Sequence, residues 1–129
     1  MSSFTSPLWV TPLPDGKNWR ILRRFSYHIG SKYSRKYISV PRNFITDFAS
    51  VPRLFFFLPD WATYNKDAPL HDWLYKAKQI MGKPITRKRA DEIFYEAMLV
   101  DFRNHKSGKI IAWLEYIAVR IAGGLAWRE

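Results

Sequence analysis

Three polar blocks stand in an otherwise apolar and aromatic chain: TDFASVPR at residues 46–53, APLHDWLY at 68–75 and TRKRADEIFYEAM at 86–98. They bring together carboxylates (Asp47, Asp72, Asp91), an imidazole (His71), a hydroxyl (Ser50) and guanidinium groups (Arg53, Arg87, Arg89). These residue types carry general acid–base chemistry and metal-assisted hydrolysis. Asp47, Ser50, His71, Asp72 and Asp91 are therefore the candidate catalytic residues. Arg53, Arg87 and Arg89 are the candidate anion-binding residues. His71 with Asp72 and Asp47 would suit a divalent metal, because imidazole and carboxylates are ligands for zinc, manganese or iron.

Local geometry limits these options. His71 and Asp72 are neighbours on a helix pattern, so their side chains diverge by about 100°. They converge on one point only at a helix end or beside a third group, for which Asp47 and Asp91 are the candidates. Asp91 sits at the edge of an apolar stripe, where a carboxylate is costly unless paired. Arg87-Lys88-Arg89 would open a helix at its positive end, an unfavourable placement that calls for an anion. Asp47 or Asp72 can supply it internally; a bound phosphate or carboxylate can supply it externally. Three readings stay open: a metal site, a metal-free network with His71 as general base, and a structural lock of Asp–Arg and His–Asp pairs. No phosphate-cradling Gly-rich loop and no GxSxG elbow is present.

The elements that must position these blocks follow from periodicity. Residues 1–7 read as a tail and 8–129 as one globular domain, the size prior for 129 residues. A short strand is expected at 8–11 and a turn at PLPDG, 12–16. Residues 19–29 alternate apolar and polar with breaks at Leu22 and Arg23, which predicts a half-exposed strand; residues 36–40 return beside it. Residues 41–67 carry no clean period, and Ser50-Val51-Pro52 can open a helical turn. Asp67 is expected to cap a helix over 68–80 that stops at Gly82 and Pro84. Thr86 is expected to cap a second over 87–104, with Ala90, Ile93, Phe94, Ala97 and Met98 as its buried stripe. A third, over 109–122, is apolar nearly all round. It reads as a central core helix or as an oligomer face, too short and charged for a membrane span. The expected class is α+β, an N-terminal antiparallel β-meander packed against about three C-terminal helices.

Charge narrows the partners. The formal net charge is +10, and the chain has no acid between Asp15 and Asp47 or between Asp72 and Asp91. Arg20, Arg24, Arg35 and Lys36 mark the first of these stretches as a polyanion surface suited to nucleic acid. There is no cysteine, hence no disulfide and no thiolate metal site. The first residues, MSSFTSPLWV, lack the pattern of a secretory signal.

At the same three blocks the chain resembles a family of small phage and prophage proteins of unknown function. Its phrases are GF-x-TDFASVPR, A-x-x-HD-x-LY and R-x-x-AD-x-x-F-x-x-AM. The resemblance covers roughly residues 36–125, with Asn43 where the family carries Gly, and Asn too tolerates a left-handed turn. It implies a phage or prophage origin, the host cytoplasm or the virion as location, and other phage proteins as partners; it implies no mechanism. Two functions are expected from the residues: a hydrolase-like protein, metal-assisted or not, acting on an anionic polymer or a cell-wall bond, or a non-catalytic virion or host-takeover binding protein with a basic aromatic surface.

Overall fold

Leu22, Arg23 and Arg24 break the alternation over 19–29, and the chain bends there. In the computed structural model, which describes residues 2–48 and 65–128, the segment becomes two strands in different sheets. Strand β4 (Phe25–His28) lies between β1 (Ser3–Phe4) and β5 (Tyr37–Val40); β3 (Trp19–Ile21) lies between β2 (Val10–Pro12) and β6 (Ile45–Thr46). All these pairings are antiparallel. A continuous strand would set Arg23 on the buried face with Ile21 and Phe25, where an unpaired charge is costly. The bend leaves Arg23 and Arg24 exposed and keeps Ile21, Phe25 and Tyr27 buried. The architecture is α+β as expected, but the meander is divided, with the β4–β5 hairpin inserted between β3 and its partner β6.

The first residues, expected as a tail, supply strand β1. Thr5 N–H donates to Ser26 O at 3.0 Å, and the Phe4 ring packs 4.7 Å from Tyr27. The buried Ser2 hydroxyl accepts from Gly30 N–H and bonds Glu96, which also accepts from the Tyr27 hydroxyl. Asn43 turns left-handed at φ 73°, the conformation that Asn or Gly tolerates best, and delivers β6 beside β3.

Helix α1 (Asp67–Ala77) ends earlier than the apolar pattern predicts. Lys78 adopts the left-handed conformation (φ 57°) and its N–H closes on Leu74 O at 2.9 Å. Gln79–Ile80 (β7) and Lys83–Pro84 (β8) then form a hairpin about Met81-Gly82, both at positive φ (51° and 83°). Gly82 thus sits in a turn of the primed type and Pro84 in strand β8, rather than the two marking a helix stop. A methionine at its first position is unusual, since a non-glycine residue there costs roughly 1–2 kcal/mol. Helix α2 (Arg87–Asp101) starts as expected: the Thr86 hydroxyl accepts from Arg89 N–H at 3.1 Å.

Helix α2, not the third helix, is central. Its Ala90, Ile93 and Ala97 pack with Leu70 and Leu74 of α1 and with Phe25, Tyr27 and Val40 of the sheet. Its Phe94, Met98 and Phe102 side meets Ile111, Ala112 and Val119 of α3 (Gly108–Ala122). Helix α3 buries one face only; Ile110, Trp113 and Ile121 are exposed, as is Leu125 of the short α4 (Gly124–Arg128). Among the described residues no helix is long and apolar enough to cross a membrane.

Where the three helices meet, acids are buried. Asp67 does not cap α1 with its side chain; it is the first helical residue, and its N–H donates to Asp101 Oδ2 at 3.1 Å. Burial, then the Asp101 charge, pushes the Asp67 carboxyl well up. Burial alone pushes Glu115 up to about 8 from 4.5, and its Oε1 has no hydrogen-bond partner. A carboxyl with a raised folded pKa keeps its proton in the fold while the unfolded chain has lost it. Glu115 therefore withdraws stability as pH rises from about 4.5 to 8, by up to about 1.4 kcal/mol per unit. Glu115→Gln should raise Tm at pH 7.5, leave it nearly unchanged at pH 4.5, and flatten the thermal-melt pH profile between them.

Candidate functional site

Asp91 is the point on which the second and third polar blocks converge. Its side chain has no solvent exposure, and three groups donate to it: His71 Nε2 to Oδ1 at 2.8 Å, Tyr75 Oη to Oδ1 at 2.6 Å and Arg120 Nη1 to Oδ2 at 2.8 Å. Arg87 lies 3.6 Å from Oδ2, one turn back on the same helix. Burial pushes the Asp91 carboxyl up, but the bonds from His71, Tyr75 and Arg120 outweigh it and hold the carboxyl below the ordinary value. Burial drives the His71 imidazole down, and the pull of Asp91 does not offset this. His71 is thus neutral at pH 7 and bears its proton on Nε2, because a carboxylate can only accept. The ring is sandwiched by Phe94 and Tyr75, each centroid at 4.3 Å.

The cations heading α2 find their anion here. Arg87 turns inward and donates to Val119 O and Arg120 O at 3.0 and 3.1 Å, at the negative end of α3. Asp91 and these carbonyls, rather than Asp47 or Asp72, compensate it. Arg89 instead faces a separate cavity with Lys36 and Lys83.

The first and second blocks join at a different point. The buried Thr46 hydroxyl accepts from Phe48 N–H at 3.0 Å and donates to Asp72 Oδ2. Asp47 and Asp72 line one open groove of about 430 Å³ with Asn18, Phe44, Tyr75 and Lys76. His71, next in the chain to Asp72, is not in that groove; it faces Asp91. The expected ligand trio of His71, Asp72 and Asp47 is therefore not assembled, and among the described residues no three His, Asp or Glu side chains group as metal ligands. The 100° divergence along α1 is the physical reason, since nothing bends the two side chains back together. Ser50 and Arg53, and the helical turn expected at 50–52, lie outside the described residues.

Thr46, Tyr75, Arg120 and Gly123 were not foreseen as parts of this arrangement. Tyr75 carried a signal, since it follows His71 by four residues and shares its face of the helix. Gly123, the residue that follows α3, has a packing reason. A Cβ there would stand 2.4 Å from the Tyr75 hydroxyl and 3.2 Å from Arg87 Nη1.

The basic surface splits in two. Arg24 lies before β4 and Arg35-Lys36 before β5, at opposite ends of the same hairpin, while Arg20 is exposed on β3. Exposed rings accompany both ends: Arg23 sits over Trp9 at 6.0 Å and Lys32 over Tyr33 at 5.7 Å.

Two expectations follow for stability. Asp91→Asn removes the charge that Arg87 and Arg120 face in the interior and should cost about 3–5 kcal/mol in urea unfolding. Gly123→Ala should cost about 1–3 kcal/mol by overpacking against Tyr75. Gly124→Ala, where nothing lies within 4 Å, should be neutral or slightly stabilising.

No curated protein and no solved structure matches the chain. A family model does: residues 19–119, which contain Thr46, Asp72 and Asp91 with its partners other than Arg120, match the family described as "Protein of unknown function (DUF1353)". The chain belongs to that family.

Proposed function

We propose that this protein is a non-catalytic binder of polyanions, with nucleic acid as the first class of partner. The observation that carries the reading is that Asp91 engages His71, Tyr75, Arg87 and Arg120 inside the fold. His71, Arg87 and Asp91 are thereby occupied in joining α1, α2 and α3. The chain as a whole carries a formal net charge of +10, and exposed aromatic rings stand beside cations on its surface. Such a surface attracts phosphates by counterion release and offers rings for bases to stack on. The resemblance to phage and prophage proteins supports a host-takeover or virion role, and with it the host cytoplasm or the virion as its place.

A second reading rests on the groove. Asp47 and Asp72 share it with Tyr75, and Thr46 fixes the orientation of Asp72. Two carboxylates in an open cleft suit acid–base hydrolysis of an anionic polymer or a cell-wall bond, with His71 in no direct role.

The measurements separate the two. For binding, affinity for labelled single-stranded DNA should fall about 20-fold between 50 and 200 mM salt if three phosphates are neutralised. Replacing Arg20, Arg24 and Arg35 together by Ala should flatten that slope. No binding at low salt would sink the first reading. Asp72→Asn keeps volume and can still accept from Thr46, so it should fold and bind as the parent does. If the parent releases reducing ends or fragments from purified cell wall and this variant does not, the second reading replaces the first.

A further inference from the structure

The largest cavity among those described lies away from the Asp47–Asp72 groove, beside the β7–β8 hairpin. It encloses about 690 Å³, within the usual range for ligand sites, and its charged lining is cationic throughout: Lys36, Lys83 and Arg89. Its floor is apolar. A second cavity of about 310 Å³ shares Ile80 and Met81 with it and is walled by Tyr37 and Trp73. Three cations therefore stand on one side of the hairpin tip and two aromatic side chains on the other.

The tip itself is the independent sign of a ligand. Met81 is held at φ 51° and is 59% exposed. A glycine or asparagine would satisfy this turn without strain. The methionine gives the fold nothing that those residues would not, yet it places a polarisable apolar side chain on the ridge between the two cavities. Backbone strain of this sort collects at binding sites. Of the first α2 amides, Arg89 N–H is already taken by the Thr86 hydroxyl.

We infer that these joined cavities bind a short stretch of single-stranded nucleic acid, a phosphate among Lys36, Lys83 and Arg89 and the adjoining base across Met81 toward Tyr37 and Trp73. The inference rests on the polyanion-binding reading and names the site and the form of nucleic acid. A duplex keeps its base faces stacked and cannot use the aromatic side; a single strand can. An anionic membrane would find the cations but has no flat group for Tyr37 and Trp73, and an acidic peptide has one only where an aromatic residue stands beside its carboxylates.

The test is fluorescence anisotropy with a labelled 12-nucleotide single strand and its matched duplex at 50 mM salt. The variants are Lys83→Glu, Arg89→Glu and Met81→Gly, with Lys109→Glu as a charge-matched control on an exposed lysine in the first turn of α3. Arg89→Glu puts a carboxylate three residues after Thr86, a capping-box position, so the helix start is kept. Lys83→Glu and Arg89→Glu should each weaken single-strand binding tenfold or more, and Lys109→Glu less than threefold. Met81→Gly should melt at higher temperature yet bind severalfold more weakly. A 4-thiouridine strand should photocrosslink to Tyr37 or Trp73. Equal losses in the cavity and control variants would overturn the cavity while leaving polyanion binding in place, as would a duplex that binds as well as the single strand or crosslinks only elsewhere. Tighter binding to phosphatidylglycerol vesicles or to polyglutamate would assign the cavity to those partners and overturn it too. No binding to any polyanion by the parent would overturn the underlying reading itself.

Discussion

A carboxylate that water cannot reach must be given its partners by the fold. Asp91 is such a group, and the arrangement of the helices follows from supplying it. Two donors come from α1, one from α3, and a fourth cation from its own helix. Each hydrogen bond to a buried charge is worth about 1.5–3 kcal/mol, and losing one strands a charge. The three helices are thus tied at one atom pair as well as by their apolar faces. The close approach that the tie demands explains Gly123, where even a methyl group would strike the Tyr75 hydroxyl.

The opposite end of the same helices treats acids the other way. Asp67, Asp101 and Glu115 gather without enough donors, so burial raises their proton affinity. Lys66, whose charge acts on Asp101, is half-exposed and donates to Ser6 O. One end of α2 therefore holds a carboxyl whose proton affinity its donors lower, and the other lies among carboxyls whose proton affinity burial raises. Both lie in the same packed layer, so burial alone does not decide the charge state. The number of donors does: three reach Asp91 through side chains, whereas Glu115 Oε1 has none.

Much of this was legible in the sequence, in proportion to how local its cause was. The stripe Ala90, Ile93, Phe94, Ala97, Met98 is buried as its spacing predicts, and Thr86 caps as its type predicts. Both depend on residues within two turns of each other. The stop of α1 before Lys78 and the Met81-Gly82 turn are not legible, because Lys76-Ala77-Lys78-Gln79-Ile80 holds no Gly or Pro and fits a helix end as well as a short strand. The division of the sheet was hinted at by Leu22 and Arg23 falling out of phase, although no local rule says that such a break sends β4 to another sheet. For the site, the need of Asp91 for partners was legible and their identity only in part. Arg120 comes from 29 residues away and Thr46 meets Asp72 across 26, and nothing in spacing specifies such meetings. The converging metal trio failed on a rule already in hand, the divergence of neighbours on a helix.

The two junctions also show what polar blocks prominent in a sequence can do inside a fold. Thr46 binds the first block to the second, and Asp91 binds the second to the third. Each block carries one group that the next one needs, so the blocks constrain one another whatever the protein does. What they hold in place is the surface above them. Helix α1, fixed from beneath by His71 and Tyr75, presents Asp72 and Lys76 to one groove and Trp73 and Ala77 to the cavity on its other flank. Helix α2, fixed by Asp91, presents Arg89 beside the β7–β8 hairpin. His71, Arg87 and Asp91 thus act on that surface from within the fold. They set the spacing between a cationic face, an aromatic wall and a carboxylate groove, and that spacing is what a bound partner would read.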